Sequence, residues 1–166
     1  MLTAREVIEL LGLEPLPVEG GRFRVTYRAE ETAVLPGRGA AARPLSGAIY
    51  YLLHGDAFSA LHRLRTDEVY HFYLGEPVEM LLLHPDGHGE TLTLGQEIAS
   101  GQRVQLVVPS GVWQGSRLAL ARHRDWALMG TTMAPAFDDA DFELGDRAAL
   151  IAQYPAFADL IRGLTP

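Results

Sequence analysis

The fold class this sequence predicts is all-β with short flanking helices, and three observations predict it. Between Leu45 and Met133, short runs of β-forming residues recur with turn residues between them and no helical period separating them. Helical periodicity is confined to the two ends. The length of 166 residues, 48% hydrophobic and 21% charged, suits one domain able to bury a core. Strands at this spacing, without helices between them, imply an antiparallel sandwich or barrel.

Taken in order, residues 3–12 predict a helix. Thr3 can cap it with Glu6 three positions on, and Gly12 stands where it should stop. Pro15, Pro17, Gly20 and Gly21 break the chain, and Arg22–Arg28 alternates as a half-buried strand through Phe23, Val25 and Tyr27. Residues 29–43, with Pro36, Gly37 and Gly39, are expected to form a mobile surface loop that could serve as a lid. The core strands are expected at Ala48–Leu53, Phe58–Leu64, Val69–Leu74, Val78–His84, Glu90–Leu94, Arg103–Val108, Leu118–Arg122 and Trp126–Met133. Helical periodicity returns at Asp146–Gln153 and Pro155–Arg162, so the C-terminal helices lie at about 146–163. Residues 1–166 form a single domain whose barrel core spans about 45–133.

Composition removes several chemistries. There is no Cys, hence no disulfide, thiolate nucleophile or zinc-thiolate site. All 14 basic residues are Arg, so no Schiff-base lysine and no P-loop lysine exist. A net charge of −7 opposes binding to nucleic acid or to an anionic membrane surface. No cationic leader or membrane-length apolar run is present, and a cytoplasmic location is expected. The acids Asp138, Asp139, Asp141, Glu143 and Asp146 lack EF-hand spacing and are expected to form a solvated loop. His54, His84 and His88 fall at turn positions and are expected to be solvated, while Trp126 and Met133 belong to the core.

Two segments carry the chemistry. The first runs from Ser59 to Gly75 and holds His62, Leu64, Glu68, Tyr70 and Phe72; the second runs from Gly101 to Gln114 and holds Pro109, Gly111, Trp113 and Gln114. Together they resemble the two signature motifs of the cupin superfamily. His62 takes the first motif's leading His, Leu64 its second, Glu68 its Glu and Gly75 its Gly; Pro109 and Gly111 match the second motif, with Gln114 at its His. The stretches Ile49–Leu53, Asp67–Gly75, Ala134–Phe137 and Asp141–Leu144 resemble one single-domain branch of unknown function. The resemblance implies a double-stranded β-helix, or jelly-roll barrel, that pairs as a homodimer.

A metal-binding cupin of this kind would use three His and one Glu around iron, manganese or nickel. Here His62 and Glu68 stand beside a hydrocarbon, Leu64, and a weak neutral donor, Gln114. A divalent transition metal held by His62, Glu68 and Gln114 is therefore a minor alternative, and no cofactor is assigned. Alternation turns His71 and Tyr73 away from the face that carries Glu68, Tyr70 and Phe72.

What remains is a mixed pocket lined by Phe58, Ala60, His62, Leu64, Glu68, Tyr70 and Phe72, with Gln114 beyond the Pro-Ser-Gly turn. Trp113 either roofs this pocket or anchors the turn, and one of Tyr50 and Tyr51 faces inward. The leading expectation is a small-molecule-binding cupin whose ligand sits around His62 and Glu68. The alternative is a metal-independent isomerase, resembling the cupin sugar-nucleotide epimerases, with His62 as base, Tyr70 as acid and Glu68 tuning the base. A homodimer through the barrels is also expected, because Ile49–Leu53 and Met80–Leu83 are apolar on both faces and need a second cover.

Overall fold

The computed structural model describes residues 2–119 and 125–166. Helix α1 (Ala4–Leu11) precedes strands β1 (Glu14–Pro15), β2 (Arg22–Arg28), β3 (Thr32–Val34), β4 (Ala42–Pro44), β5 (Gly47–His54), β6 (Phe58–Leu64) and β7 (Glu68–Gly75). Then come β8 (Val78–Leu83), β9 (Gly89–Leu94), β10 (Gln105–Val108), β11 (Trp113–Leu118), β12 (Trp126–Met133) and β13 (Phe142–Leu144). The chain closes with α2 (Arg147–Gln153), a single 3-10 turn at Pro155–Phe157, and α3 (Ala158–Gly163).

Two antiparallel sheets make the body. One has the strand order β1-β2-β5-β12-β7-β10 and the other β13-β6-β11-β8-β9, while β3 and β4 form a separate hairpin. Their facing sides enclose one core, with Tyr51, Leu53, Phe72 and Met129 from the first sheet against Met80 and Leu82 from the second. The result is a jelly roll of mostly β structure with helices at both ends, as the sequence predicts.

The local rules behind the helices hold. Thr3 and Glu6 form a reciprocal capping box, and Gly12 ends α1 in the left-handed region at φ 60°. Asp146 caps α2 through Ala149 N–H. The strand expected at Leu118–Arg122 runs largely outside the described residues. The strand in that part of the fold is β11, a segment whose Trp-Gln-Gly-Ser-Arg-Leu pattern has no apolar alternation. It forms because β6 and β8 hydrogen-bond it from either side.

The doubly apolar strands find their second cover within the chain. On β5, Tyr51 and Leu53 face the core while Leu52 and Tyr50 lie outside, under Ala4 and Val7 of α1. On β8, Met80 and Leu82 face the core, whereas Leu81 and Leu83 pack against Leu150, Tyr154 and Ile161 of the C-terminal segment. Met80–Leu83 is buried throughout, and Tyr51, Leu52 and Leu53 are buried on β5 with Ile49 and Tyr50 partly so. Much of the second cover that the sequence argument sought is therefore supplied by the terminal helices.

Two loop expectations are also corrected. Residues 29–43 contain β3 and most of β4, and Arg38 and Arg43 pin this region to Asp141, each through an Nη1···Oδ2 contact of 2.6 Å. Asp141 is therefore buried rather than solvated. Its neighbours Asp138 and Asp146 act as helix-turn caps.

Candidate functional site

Between the sheets lies a cavity of about 440 Å³. Its wall is mainly apolar, with Phe23, Ile49, Leu64, Met133 and Phe142 prominent, and its polar groups gather at Glu19, Tyr51, His62, Glu68, Tyr70 and Thr131.

The position of His62 depends on a β-bulge. Gln114 of β11 pairs with His62 of β6, but Ser116 pairs with Ser59, so β6 carries one extra residue between them. Facing is inverted across the bulge. Phe58 and Leu61 point outward to the C-terminal helices, while Ser59 holds Glu19 through a 2.9 Å hydrogen bond. His62 and Leu64 line the cavity. Strict alternation placed Phe58 inside with His62, and the bulge is why it is not. Gly115 sits opposite the extra residue, where a side chain would collide with Leu61, 2.9 Å from its Cγ.

The remaining sequence candidates separate cleanly. Glu68 and Tyr70, both on β7, line the cavity with His62 and Leu64. Gln114 stands behind this lining, buried, and donates Nε2 to Glu68 Oε2 at 2.8 Å. Phe72 faces the same interior but is packed in the core away from the cavity wall. Trp113 is on the opposite face of β11, against the C-terminal helices, with the Arg63 guanidinium 4.5 Å from its ring centroid. It anchors; it does not roof the pocket. Of the tyrosine pair, Tyr51 faces inward and donates to Gly20 O at 3.1 Å.

Two polar residues of the site were not legible, and a third was legible only as one of a pair. Glu19 belongs to the Pro- and Gly-rich turn before β2, read only as a chain breaker. The turn is stitched to β6 by Ala60 N–H donating to Glu19 O at 2.7 Å. Val18, beside it at the cavity wall, adopts φ 68°, a left-handed conformation that β-branched residues rarely take. Thr131 comes from β12, and Tyr51 was one of two candidates. The available signal was an acid, Glu19, set between Pro17 and the Gly20-Gly21 pair.

The electrostatics follow from burial. His62 Nδ1 lies 2.7 Å from Ala60 O, and since a carbonyl only accepts, Nδ1 is the donor in this bond. The ring stacks on Phe142 at 5.1 Å. Burial pushes the Glu68 carboxyl above its ordinary range, and the Glu19 charge adds to this; His62, Thr131 and Gln114 pull only partly back. Burial, reinforced by Glu68 and Glu19, raises the Tyr70 hydroxyl well above the usual phenol range. Tyr51 is raised well above it too, by burial and then by Glu19.

A raised carboxyl makes a testable link to stability. The folded protein holds the Glu68 proton more tightly than the unfolded chain does. This contribution is therefore complete below about pH 4.5 and is lost as pH rises through the folded-state value. Glu68→Gln mimics the neutral form. Its melting temperature relative to the parent should rise between about pH 4.5 and pH 8, with each tenfold difference in proton affinity worth about 1.4 kcal/mol. Parallel melting profiles for the two proteins across that range would refute the assignment.

The donors do not suit a metal in the barrel. Leu64 offers no lone pair, Gln114 turns its NH2 toward Glu68, and the Glu68 carboxylate is already engaged by that amide. Among the described residues, His62 and Glu68 belong to no cluster of three metal-ligating side chains. Two strong ligands beside a hydrocarbon are a poor transition-metal site.

Paired antiparallel sheets around a cavity, with the acid and imidazole of the first motif on its wall, define a cupin-type protein. The comparison with known families agrees: residues 5–145 match the family described as Cupin superfamily (DUF985), and the chain belongs to it. It is similar to protein SO0799 from Shewanella oneidensis, whose crystal structure has 35% sequence identity and a TM-score of 0.87, covering 100% of this chain and 99% of that one. A hypothetical protein from Leishmania major is 26% identical with a TM-score of 0.88, covering 99% of each chain. The uncharacterized protein YML079W of Saccharomyces cerevisiae is 29% identical over 132 residues, which is 74% of this chain and 66% of the yeast protein. The match thus spans just under two thirds of that relative. Among the described residues, no helix is long and apolar enough to cross a membrane.

Proposed function

We propose that this protein binds a small molecule in the cavity between its sheets, with an apolar body against Phe23, Ile49 and Phe142 and an uncharged hydrogen-bonding head at His62 and Glu68. The observation that carries this reading is the cavity of about 440 Å³, apolar along its wall and polar at one buried cluster. Its volume falls in the range of ligand sites, roughly 300–1,000 Å³. An anionic head is disfavoured, because it would meet the acids Glu19, Glu68 and Asp139 with only Arg28 among the lining residues to offset them. The His62 imidazole and the Glu68 carboxyl both line the cavity and offer hydrogen-bonding atoms to an uncharged head. Gln114 Oε1 is buried with no hydrogen-bond partner among the described residues, so this corner has acceptor capacity beyond what the chain itself uses.

The isomerase alternative is less favoured by the same geometry. Its acid would be Tyr70, and burial beside Glu68 weakens that hydroxyl as a proton donor. Native mass spectrometry of protein purified without added ligand should show a reproducible organic adduct. A library of uncharged amphiphiles should raise the melting temperature, and Ile49→Trp, which fills the cavity, should weaken the best binder at least tenfold. A clean apo mass in every preparation, with no stabilisation by any library member, would overturn the proposal. Turnover of carbonyl sugars that disappears in His62→Ala would instead favour the isomerase.

A further inference from the structure

A second cluster of ligating side chains lies away from the cavity, at the hairpin joining β8 to β9. Its sequence is His84-Pro85-Asp86-Gly87-His88-Gly89-Glu90. We infer that His84, His88 and Glu90 form a binding site for a divalent transition-metal ion of the zinc class, with a fourth coordination position open to solvent.

Three observations carry this. One donor atom from each of the three residues lies within 4.8 Å of the other two. His84 Nε2 is already 3.2 Å from Glu90 Oε1, and the two imidazoles stack with centroids 5.3 Å apart. Ligands at zinc–nitrogen and zinc–oxygen distances of about 2.0–2.2 Å stand about 3.3 Å apart in a tetrahedron. The cluster needs only side-chain rotation to reach that spacing, and its exposed side chains are free to make it: His84 is 24% exposed and Glu90 37%.

The backbone beneath is held in place. His84 N–H donates to His88 O at 2.7 Å and Gly87 N–H to His84 O at 3.0 Å, which closes the turn. The Asp86 carboxylate accepts from His88 N–H at 2.9 Å, tying that acid to the turn and leaving the imidazole clear. Tyr154 donates its hydroxyl to His84 O at 2.8 Å, and Gly89 packs so close to Phe157 that a Cβ would fall 2.8 Å from the ring Cζ. The hairpin is thus docked on the C-terminal segment, and little backbone ordering is left for the ion to impose.

The donor set selects the metal. Two imidazoles and one carboxylate suit zinc, and copper and nickel compete in the usual affinity order, whereas magnesium and calcium prefer all-oxygen sites. None of the three residues lines the cavity, so this site is independent of the one proposed for the barrel.

The test uses full-length protein without an affinity tag, stripped with chelator and titrated with zinc chloride against a chromophoric competitor. The expected result is one equivalent per chain, with affinity reduced at least tenfold in His88→Ala and in Glu90→Gln and unchanged in His62→Ala. Both hairpin substitutions are at the surface, and an unaltered melting temperature without metal checks that they leave the fold intact. Cobalt in place of zinc should give the visible absorption of a nitrogen–oxygen site, lost in His88→Ala. Failure to compete at all, binding indifferent to His88→Ala, or binding abolished by His62→Ala instead would each overturn the inference.

Discussion

Asp141→Ala is expected to cost about 3–5 kcal/mol, the range for removing one partner of a buried ionic group. Asp141 is the common acceptor for Arg38 and Arg43, each 2.6 Å away. Arg43 is itself buried and also donates Nη2 to Ala136 O at 2.8 Å. Without the carboxylate, Arg43 is left charged and under-compensated inside the protein. For a chain of this size that loss lowers the melting temperature on the order of 10 °C. The pH dependence supplies a second readout. Burial alone would raise the Asp141 carboxyl, but hydrogen bonds and charge from Arg43 and Arg38 outweigh it and hold the group below its ordinary range. A lowered folded-state value contributes stability that is present above about pH 3.8 and lost as pH falls through it. Asp141→Asn should therefore differ most from the parent near neutrality, with the two curves converging in acid. Thermal unfolding of the parent and both variants between pH 2.5 and pH 7 measures this. A melting temperature for Asp141→Ala within about a degree of the parent at pH 7 would refute the network.

Why some of this was legible in the sequence and some not comes down to the range of the interactions involved. The α1 capping box is decided by residues three apart, and the inward set on β7 by simple alternation, so Thr3, Glu6, Glu68 and Tyr70 could be placed from local pattern. The β6 bulge is different in kind. Leu61 N–H donates to Leu164 O at 2.7 Å, and Leu61 O accepts from Gly145 N–H at 2.7 Å. Both partners lie more than eighty residues away in sequence, and no local pattern announces them. That one displaced residue moved Phe58 out of the pocket and brought Ser59, with Glu19 behind it, to the polar side. Arg38 and Arg43 were hidden likewise. Their Gly/Pro-rich surroundings read as a mobile loop, and only their meeting with Asp141 about a hundred positions later shows the segment to be tethered. The apolar runs of β5 and β8 were read correctly as needing two covers, but short helices were underestimated as covers. A single turn of α3 suffices to bury Ile161, and α2 supplies Leu150 beside it.

Gly75→Ala is expected to be the other severe substitution, and it explains the glycine that closes the first motif. Gly75 adopts φ 109°, outside the region that residues with a side chain occupy readily. Its backbone lies against β12, where an added Cβ would fall 2.8 Å from Ala127 Cα and would also press on the Trp126 carbonyl oxygen. That oxygen accepts from Glu76 N–H at 2.9 Å, the bond that ties the β7–β8 turn to β12. A methyl group there forces the strands apart and weakens the bond. Backbone strain of about 1–3 kcal/mol combines with a lost hydrogen bond of about 1 kcal/mol and with the displacement of Trp126, which is buried under α1. Gly55 supplies the control. It is also left-handed, at φ 57°, but an added Cβ meets no heavy atom within 4 Å, so Gly55→Ala should cost only the conformational penalty, about 1–2 kcal/mol. Urea unfolding of the two variants and the parent separates crowding from backbone preference. The midpoint for Gly75→Ala should fall well below that for Gly55→Ala, and equal midpoints would show that β12 can move aside and that the motif glycine answers only to its dihedral angle.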